Sequence, residues 1–269
     1  MSPSVLKAVM PHVTREGANV KLPATERIAV IASYGDSQTI SRSLHTFVTE
    51  LARCRYGVIV VRASDDSREL VWPGPLPADT IVIRKPNIGY DFGSWATALR
   101  VFPTIRKREN VLFTNDSLVG PFNSLAHVLE NFENAATDVW GATNTLQMFP
   151  HLQSFFVGFR NGALSDPALK QFWKHISIEK QKQRIIAKYE LGLSRLLLAE
   201  GFTTSACFES ERLVDGTQNP TIEGWRRLLE LGFPFVKREL IVNPSVVSDG
   251  YDVPNTIQGM FDTDPRDWL

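Results

Sequence analysis

The segment between residues 27 and 62 constrains this chain most. Arg27 to Ser33 reads RIAVIAS and Tyr56 to Arg62 reads YGVIVVR. Both are almost wholly apolar, the pattern of a strand covered on both faces. Between them, Ile40, Leu44, Phe47, Leu51 and Cys54 recur at steps of three or four, so Gln38 to Cys54 is expected to form an amphipathic helix. Strand, helix and strand with short polar links make a βαβ unit. Its strands must pair in parallel, because the crossover brings the chain back in the same direction.

The alternation continues. Thr80 to Lys85 reads as a third strand, Phe92 to Val101 as a helix after a glycine-rich turn, and Asn110 to Thr114 as a fourth strand. Asn123 to Asn131 carries another helical stripe, and Asp138 to Ala142 and Ser154 to Phe159 read as further strands. Beyond Arg160 the pattern turns helical, through Ala168 to His175, Glu179 to Glu200 and Glu223 to Leu231, before a proline-containing tail. The expected fold class is α/β: a doubly wound, mostly parallel sheet flanked by helices, with a helical C-terminal part completing a cleft. Residues 1–26, with scattered prolines and charges, are expected to be a leader that packs on the domain or frays. Residues 27–269 then form one domain, 27–122 and 123–269 being its two halves.

Composition removes several function classes. Lys and Arg number 29 and Asp and Glu 29, so the chain has no net charge to hold it on nucleic acid through phosphates. Two cysteines, Cys54 and Cys207, cannot build a disulfide framework or a four-thiolate zinc site, and a reducing cytoplasm is the expected setting. No apolar run reaches the roughly 18–20 residues of a membrane span. The sequence holds no glycine fingerprint for a dinucleotide after the first strand, no P-loop and no Gly-x-Ser-x-Gly elbow.

In open parallel sheets, ligands bind beyond the carboxyl ends of the strands. Those ends here carry Ser33-Tyr34-Gly35-Asp36, Ser64-Asp65-Asp66-Ser67, Asn87-Ile88-Gly89-Tyr90-Asp91-Phe92-Gly93 and Asn115-Asp116-Ser117. Each of these residues also serves ordinary turns and caps. Four such loops on one edge point to a polar ligand. An acid after the second strand can accept hydrogen bonds from a base or ribose. One after the fourth can hold a divalent ion against a diphosphate.

NIGYDFGSW (87–95), VLFTNDSLVGPF (111–122), DVWGATN (138–144), HLQSFFVGFR (151–160), KYELGLSRLLLAEGF (188–202) and GFPFVKRELIVNP (232–244) resemble the rhamnan synthesis protein F family. The likeness runs in the same order over about residues 27–250. It implies a GT-A-like glycosyltransferase of bacterial surface-polysaccharide assembly. It further implies a nucleoside-diphosphate sugar donor, dTDP-rhamnose favoured, and a glycan or lipid-linked glycan acceptor. The expected place of work is the cytoplasm, with contact at the inner face of the plasma membrane.

The resemblance assigns two roles by position, and the strand-end loops and charges supply the others. Asn115-Asp116-Ser117 sits where many such enzymes have a metal-holding Asp-x-Asp. With one carboxylate left, Asp116 is the expected contact to Mg²⁺ or Mn²⁺ and the diphosphate. Glu190, ahead of Gly201, matches the carboxylate of a Glu-Asp motif and is the expected base. An inverting transfer needs one carboxylate to take the acceptor's proton. Asp65, Asp66, Asn87, Gly89 and Asp91 are expected along the donor. His151, Gln153 and Ser154 are expected to face diphosphate or acceptor, His151 being a second metal candidate. Lys237 and Arg238 either offer positive charge to the leaving diphosphate or are ordinary surface charges. Trp95, Trp140 and Trp173 either stack on sugar faces or fill the core. The competing expectation is a non-catalytic module that binds a sugar nucleotide or glycan.

Overall fold

The computed structural model of the chain describes residues 3–16 and 21–269. Its centre is a nine-stranded sheet. In chain order the strands are β1 (Thr14–Glu16), β2 (Arg27–Tyr34), β3 (Gly57–Ala63), β4 (Ile81–Lys85), β5 (Asn110–Asn115), β6 (Leu118–Val119), β7 (Val139–Thr145), β8 (His151–Leu152), β9 (Phe156–Arg160), β10 (Thr204–Phe208) and β11 (Val236–Lys237). The order across the sheet is β1-β4-β3-β2-β5-β9-β7-β10, with β8 on β7; β6 and β11 form a separate antiparallel pair. β4, β3, β2 and β5 pair in parallel, as the βαβ reading requires. β9 runs antiparallel between β5 and β7, so the sheet is mostly, not wholly, parallel.

The α-helices are α1 (Val5–Val9), α2 (Arg42–Arg53), α3 (Tyr90–Val101), α4 (Ala126–Glu133), α5 (Pro167–Lys174), α6 (Lys182–Ile185), α7 (Leu191–Ala199), α8 (Trp225–Glu230), α9 (Arg238–Val242) and α10 (Val253–Phe261). The Ser41 side chain starts α2 by accepting from the Leu44 N–H at 3.2 Å, a standard N-cap. Successive residues of β2 serve opposite faces. Ile28, Val30 and Ala32 join one core with α1, α3 and α5. Ala29 and Ile31 join the other with α2 and α4. That explains why Ile28 to Ala32 is apolar throughout. A third, smaller core gathers Trp225, Leu240, Ile257 and Trp268 under the C-terminal helices.

Of the leader, residues 1–2 and 17–20 lie outside the described residues, and residues 3–16 pack on the domain: Val5 and Val9 are fully buried, and β1 pairs with β4. Two helical readings need correction. β10 lies in a region read as helical. It is a short, half-buried edge strand, so its apolar signal is weak. The long helix expected from Glu179 is interrupted by a π-helical turn, Ile186–Glu190, between α6 and α7. The tryptophans do not meet solvent: Trp95, Trp140 and Trp173 are 1%, 0% and 1% exposed, which removes them as sugar platforms.

Candidate active site

Beyond the carboxyl ends of the strands lies a cleft of about 630 Å³. Asp91, Asn115, Ser117, Gln153, Ser154, Glu190, Lys237 and Arg238 all line it. These residues are up to 147 positions apart (238 − 91), and the sheet topology is what gathers them. Ile185, Ile186, Ile222, Val242 and Val246 give the same cleft an apolar wall.

Asp91 enters from the first turn of α3. The preceding Gly89 has φ +90°, and Val5 fills the space where a Cβ would stand. Beneath this turn Lys85, 2% exposed, donates to the Ile88 and Pro86 carbonyls at 2.7 and 3.0 Å. Burial pulls its ammonium down to about 8, although Asp91 and Asp65 oppose the shift. The Asn115 side chain donates to Asp91 Oδ2 at 2.7 Å, and its Oδ1 accepts from the Ser117 hydroxyl at 2.5 Å. Burial, then the nearby Asp116, push the Asp91 carboxyl up to about 6; Asn115, Lys237 and Lys85 act the other way.

Asp116 turns one oxygen toward Ser33 and Arg62 and stays partly solvated. Its Oδ2 accepts from the Ser33 hydroxyl at 2.7 Å and the Tyr34 N–H at 3.0 Å. Arg62, 5% exposed, approaches that oxygen to 3.9 Å and donates to Ser33 at 2.8 Å. Burial raises the Asp116 carboxyl, against Ser33, Tyr34, Arg62 and Arg238.

The cations come from β11 and the start of α9. Pairing of Lys237 with Leu118 sets this segment beside Ser117. The Arg238 N–H donates to the Ser117 carbonyl at 2.8 Å, and Lys237 Nζ donates to the Ser117 hydroxyl at 3.1 Å. Lys237 also lies 4.0 Å from the Phe155 ring centroid.

Glu190 closes the π-helical turn. Tyr189 anchors that turn, its hydroxyl donating to the Ser177 carbonyl and accepting from the Ser177 N–H. Both Glu190 oxygens are engaged. Oε1 lies 3.2 Å from His151 Nε2, and Oε2 accepts from the Ser154 N–H at 3.2 Å and from the Ser154 hydroxyl. Burial alone would raise this carboxyl; the His151 and Ser154 bonds outweigh it and hold it below its ordinary range. Gln153 accepts from the Thr143 hydroxyl at 2.7 Å and donates to Asn219 at 3.1 Å, fixing the loop on the far side.

Other predicted residues lie behind or beside the lining. Asp65, Asp66, Asn87, Gly89, Asp116 and His151 do not line the cleft. Asp66 is paired with Arg68 at 2.6 Å, and Asp65 accepts from the Asn87 N–H at 3.3 Å. His151 Nδ1 faces the Phe149 carbonyl at 2.6 Å, so both ring nitrogens are occupied. Among the described residues, no three His, Cys, Asp or Glu side chains converge as a metal site. Asp116 Oδ2 is held by Ser33 and Tyr34 and both His151 ring nitrogens are engaged, so a divalent ion here would have to draw most of its ligands from the donor's diphosphate. Arg62 and Lys85 were missed. Each stands at the end of a largely apolar strand, in YGVIVVR and TIVIRK, and that placement was the available signal.

Fold and site together define an α/β protein with a polar, charge-lined cleft at the carboxyl edge of a mostly parallel sheet. The family model for rhamnan synthesis protein F matches residues 65–263, and the chain belongs to that family. Membership ties it to polysaccharide synthesis. Virulence protein VirA of Vibrio anguillarum is 26% identical over 215 residues, covering 68% of this chain and 69% of VirA. An uncharacterized protein of Sinorhizobium fredii, y4gN, is 26% identical over 155 residues, covering 56% of this chain and 40% of y4gN. Among the described residues, no helix is long and apolar enough to cross a membrane.

Proposed function

We propose that the chain is a GT-A-like glycosyltransferase that moves a sugar, rhamnose favoured, from a nucleoside diphosphate to a glycan acceptor. One observation carries this reading. A carboxylate held on both oxygens, Glu190, shares a cleft with Asp91 and with two cations, Lys237 and Arg238. Family membership and the mostly parallel sheet support it.

Glu190 takes the proton of the acceptor hydroxyl. The acceptor oxygen bonds to the anomeric carbon as the bond from that carbon to the diphosphate breaks, its electron pair leaving with the diphosphate. Lys237 and Arg238 offset the charge that develops there. Asp91 accepts from hydroxyl groups of the donor sugar. Asp116 acts from behind, fixing Ser33 and the Tyr34 backbone at the donor edge. Positive side chains thus take the place expected for a metal ion.

Glu190→Gln keeps the shape of the site and removes the base. Calorimetry with dTDP-rhamnose is expected to give unchanged affinity, while transfer falls about 10²–10⁴-fold. Full turnover in this variant would remove Glu190 as base. Donor binding without transfer by the unaltered chain, across a set of acceptors, would favour a non-catalytic binding module.

A further inference from the structure

His151 has no place in the mechanism so far, yet it is the most deliberately held side chain near the cleft. It is 7% exposed and carried on β8. A carbonyl cannot donate, so the Phe149 carbonyl fixes Nδ1 as the protonated nitrogen. Nε2 therefore decides the state of the contact with Glu190. When Nε2 carries a proton it donates to Glu190 Oε1. When it does not, its lone pair faces that oxygen.

We propose that His151 is the positioning residue of Glu190, and that the two side chains accept the acceptor's proton as one unit. This rests on the reading of Glu190 as base. A carboxylate bonded at both oxygens and held below its ordinary range is a weak proton acceptor by itself near neutral pH. With His151 neutral, the pair is a stronger one. The acceptor O–H bond breaks, the proton arrives at Glu190, and it comes to rest on Nε2. The pair ends as an imidazolium beside a carboxylate. No second positive charge is left unpaired, and the acceptor oxygen keeps the electron pair it uses on the anomeric carbon.

Glu190 is the leading charged neighbour of His151 and His151 that of Glu190, while Asp91, Lys237 and Arg238 line the same cleft as Glu190. Their remaining partners, the Phe149 carbonyl and Ser154, do not titrate at ordinary pH. Burial alone would lower the His151 pKa; the bonds to Glu190 and Phe149 outweigh it and raise it. Turnover is therefore expected to climb with pH through a step above the ordinary histidine range.

The test has two arms. In the first, the histidine ring protons are followed by NMR against pH in the donor-free protein. His151 is expected to titrate above an ordinary histidine, and to shift downward in Glu190→Gln. An unshifted His151 in that variant would overturn the pairing, whatever the enzyme's activity. In the second arm, transfer is measured against pH in His151→Gln, whose amide can still reach Glu190 but cannot titrate. Donor affinity is expected to stay within about twofold. Turnover falls about 10–100-fold and the step is lost, whereas Ser154→Ala lowers turnover and keeps the step. A step that persists in His151→Gln would overturn the proposal and leave Glu190 as base. Full turnover in Glu190→Gln would overturn the base assignment itself.

Discussion

The Asn115 amide donates to Asp91 Oδ2 across 2.7 Å, tying the end of β5 to the first turn of α3. The carboxylate so held has Asp116 as a neighbour, and burial with that neighbour raises it to about 6. A carboxyl that titrates higher in the folded chain than in the unfolded one favours the fold when protonated. That contribution is complete below the ordinary carboxylate range and is lost as pH rises through about 6. Asp91→Asn removes the loss. The variant is expected to be more stable than the parent at pH 7, by about 1–3 kcal/mol after allowance for solvent screening, and equal to it near pH 3. Its donor affinity is expected to fall at least tenfold. Urea unfolding at both pH values, with calorimetry on the donor, measures the two effects.

Arg62 supports Asp116 from beneath the sheet edge, its guanidinium packed against Gly35, where a Cβ would displace it. Arg62→Met keeps the side-chain volume and removes the charge. Asp116 is partly solvated, so the expected cost is about 1–3 kcal/mol, below that of breaking a fully buried pair. Donor affinity is expected to fall with it, because Ser33 and the Tyr34 N–H lose their register. Unfolding and binding curves on one preparation check this.

Gly89 combines φ +90° with Val5 side-chain atoms 2.7 and 2.8 Å from where a Cβ would stand. Gly89→Ala is expected to cost about 2–4 kcal/mol. Gly259, inside α10, has nothing within 4 Å of such a carbon. Gly259→Ala is expected to stabilise by about 0.5–1 kcal/mol through helix propensity. Denaturant midpoints of the two variants should move in opposite directions.

Much of this was legible in residue order. Continuous apolar strands revealed the parallel core because both faces are buried, as the two clusters sharing β2 show. The strand-end loops revealed Asp91, Asn115 and Ser117, and the family motifs added Gln153, Glu190, Lys237 and Arg238. Three things were hidden. Side-chain direction at Asn115-Asp116-Ser117 is set by the turn after β5: Asn115 and Ser117 line the cleft while Asp116 bonds to Ser33. The π-helical turn carries the Tyr189 contact with Ser177, twelve residues back, which has no local periodic signal. β10 is stabilised by pairing with β7, a tertiary effect that five mixed residues do not announce.

The cations of β11 and α9 carry the charge argument. Replacing Lys237 or Arg238 by Met is expected to weaken binding of the free nucleoside diphosphate about 10–100-fold each, at about 1.4 kcal/mol per tenfold. The Lys237 variant also loses its contact with the Phe155 ring, so its stability should fall by about 0.5–1 kcal/mol. Titration of dTDP into both variants, with thermal midpoints recorded, separates charge from packing.

The most direct measurement is release of nucleoside diphosphate from dTDP-rhamnose and a panel of other sugar nucleotides, with glycan acceptor present. It is run with and without chelator, on the parent chain and on Glu190→Gln. The account predicts acceptor-dependent release from at least one donor, little changed by chelator and lost in Glu190→Gln. Release that survives in Glu190→Gln, or that stops when the chelator is added, would contradict it.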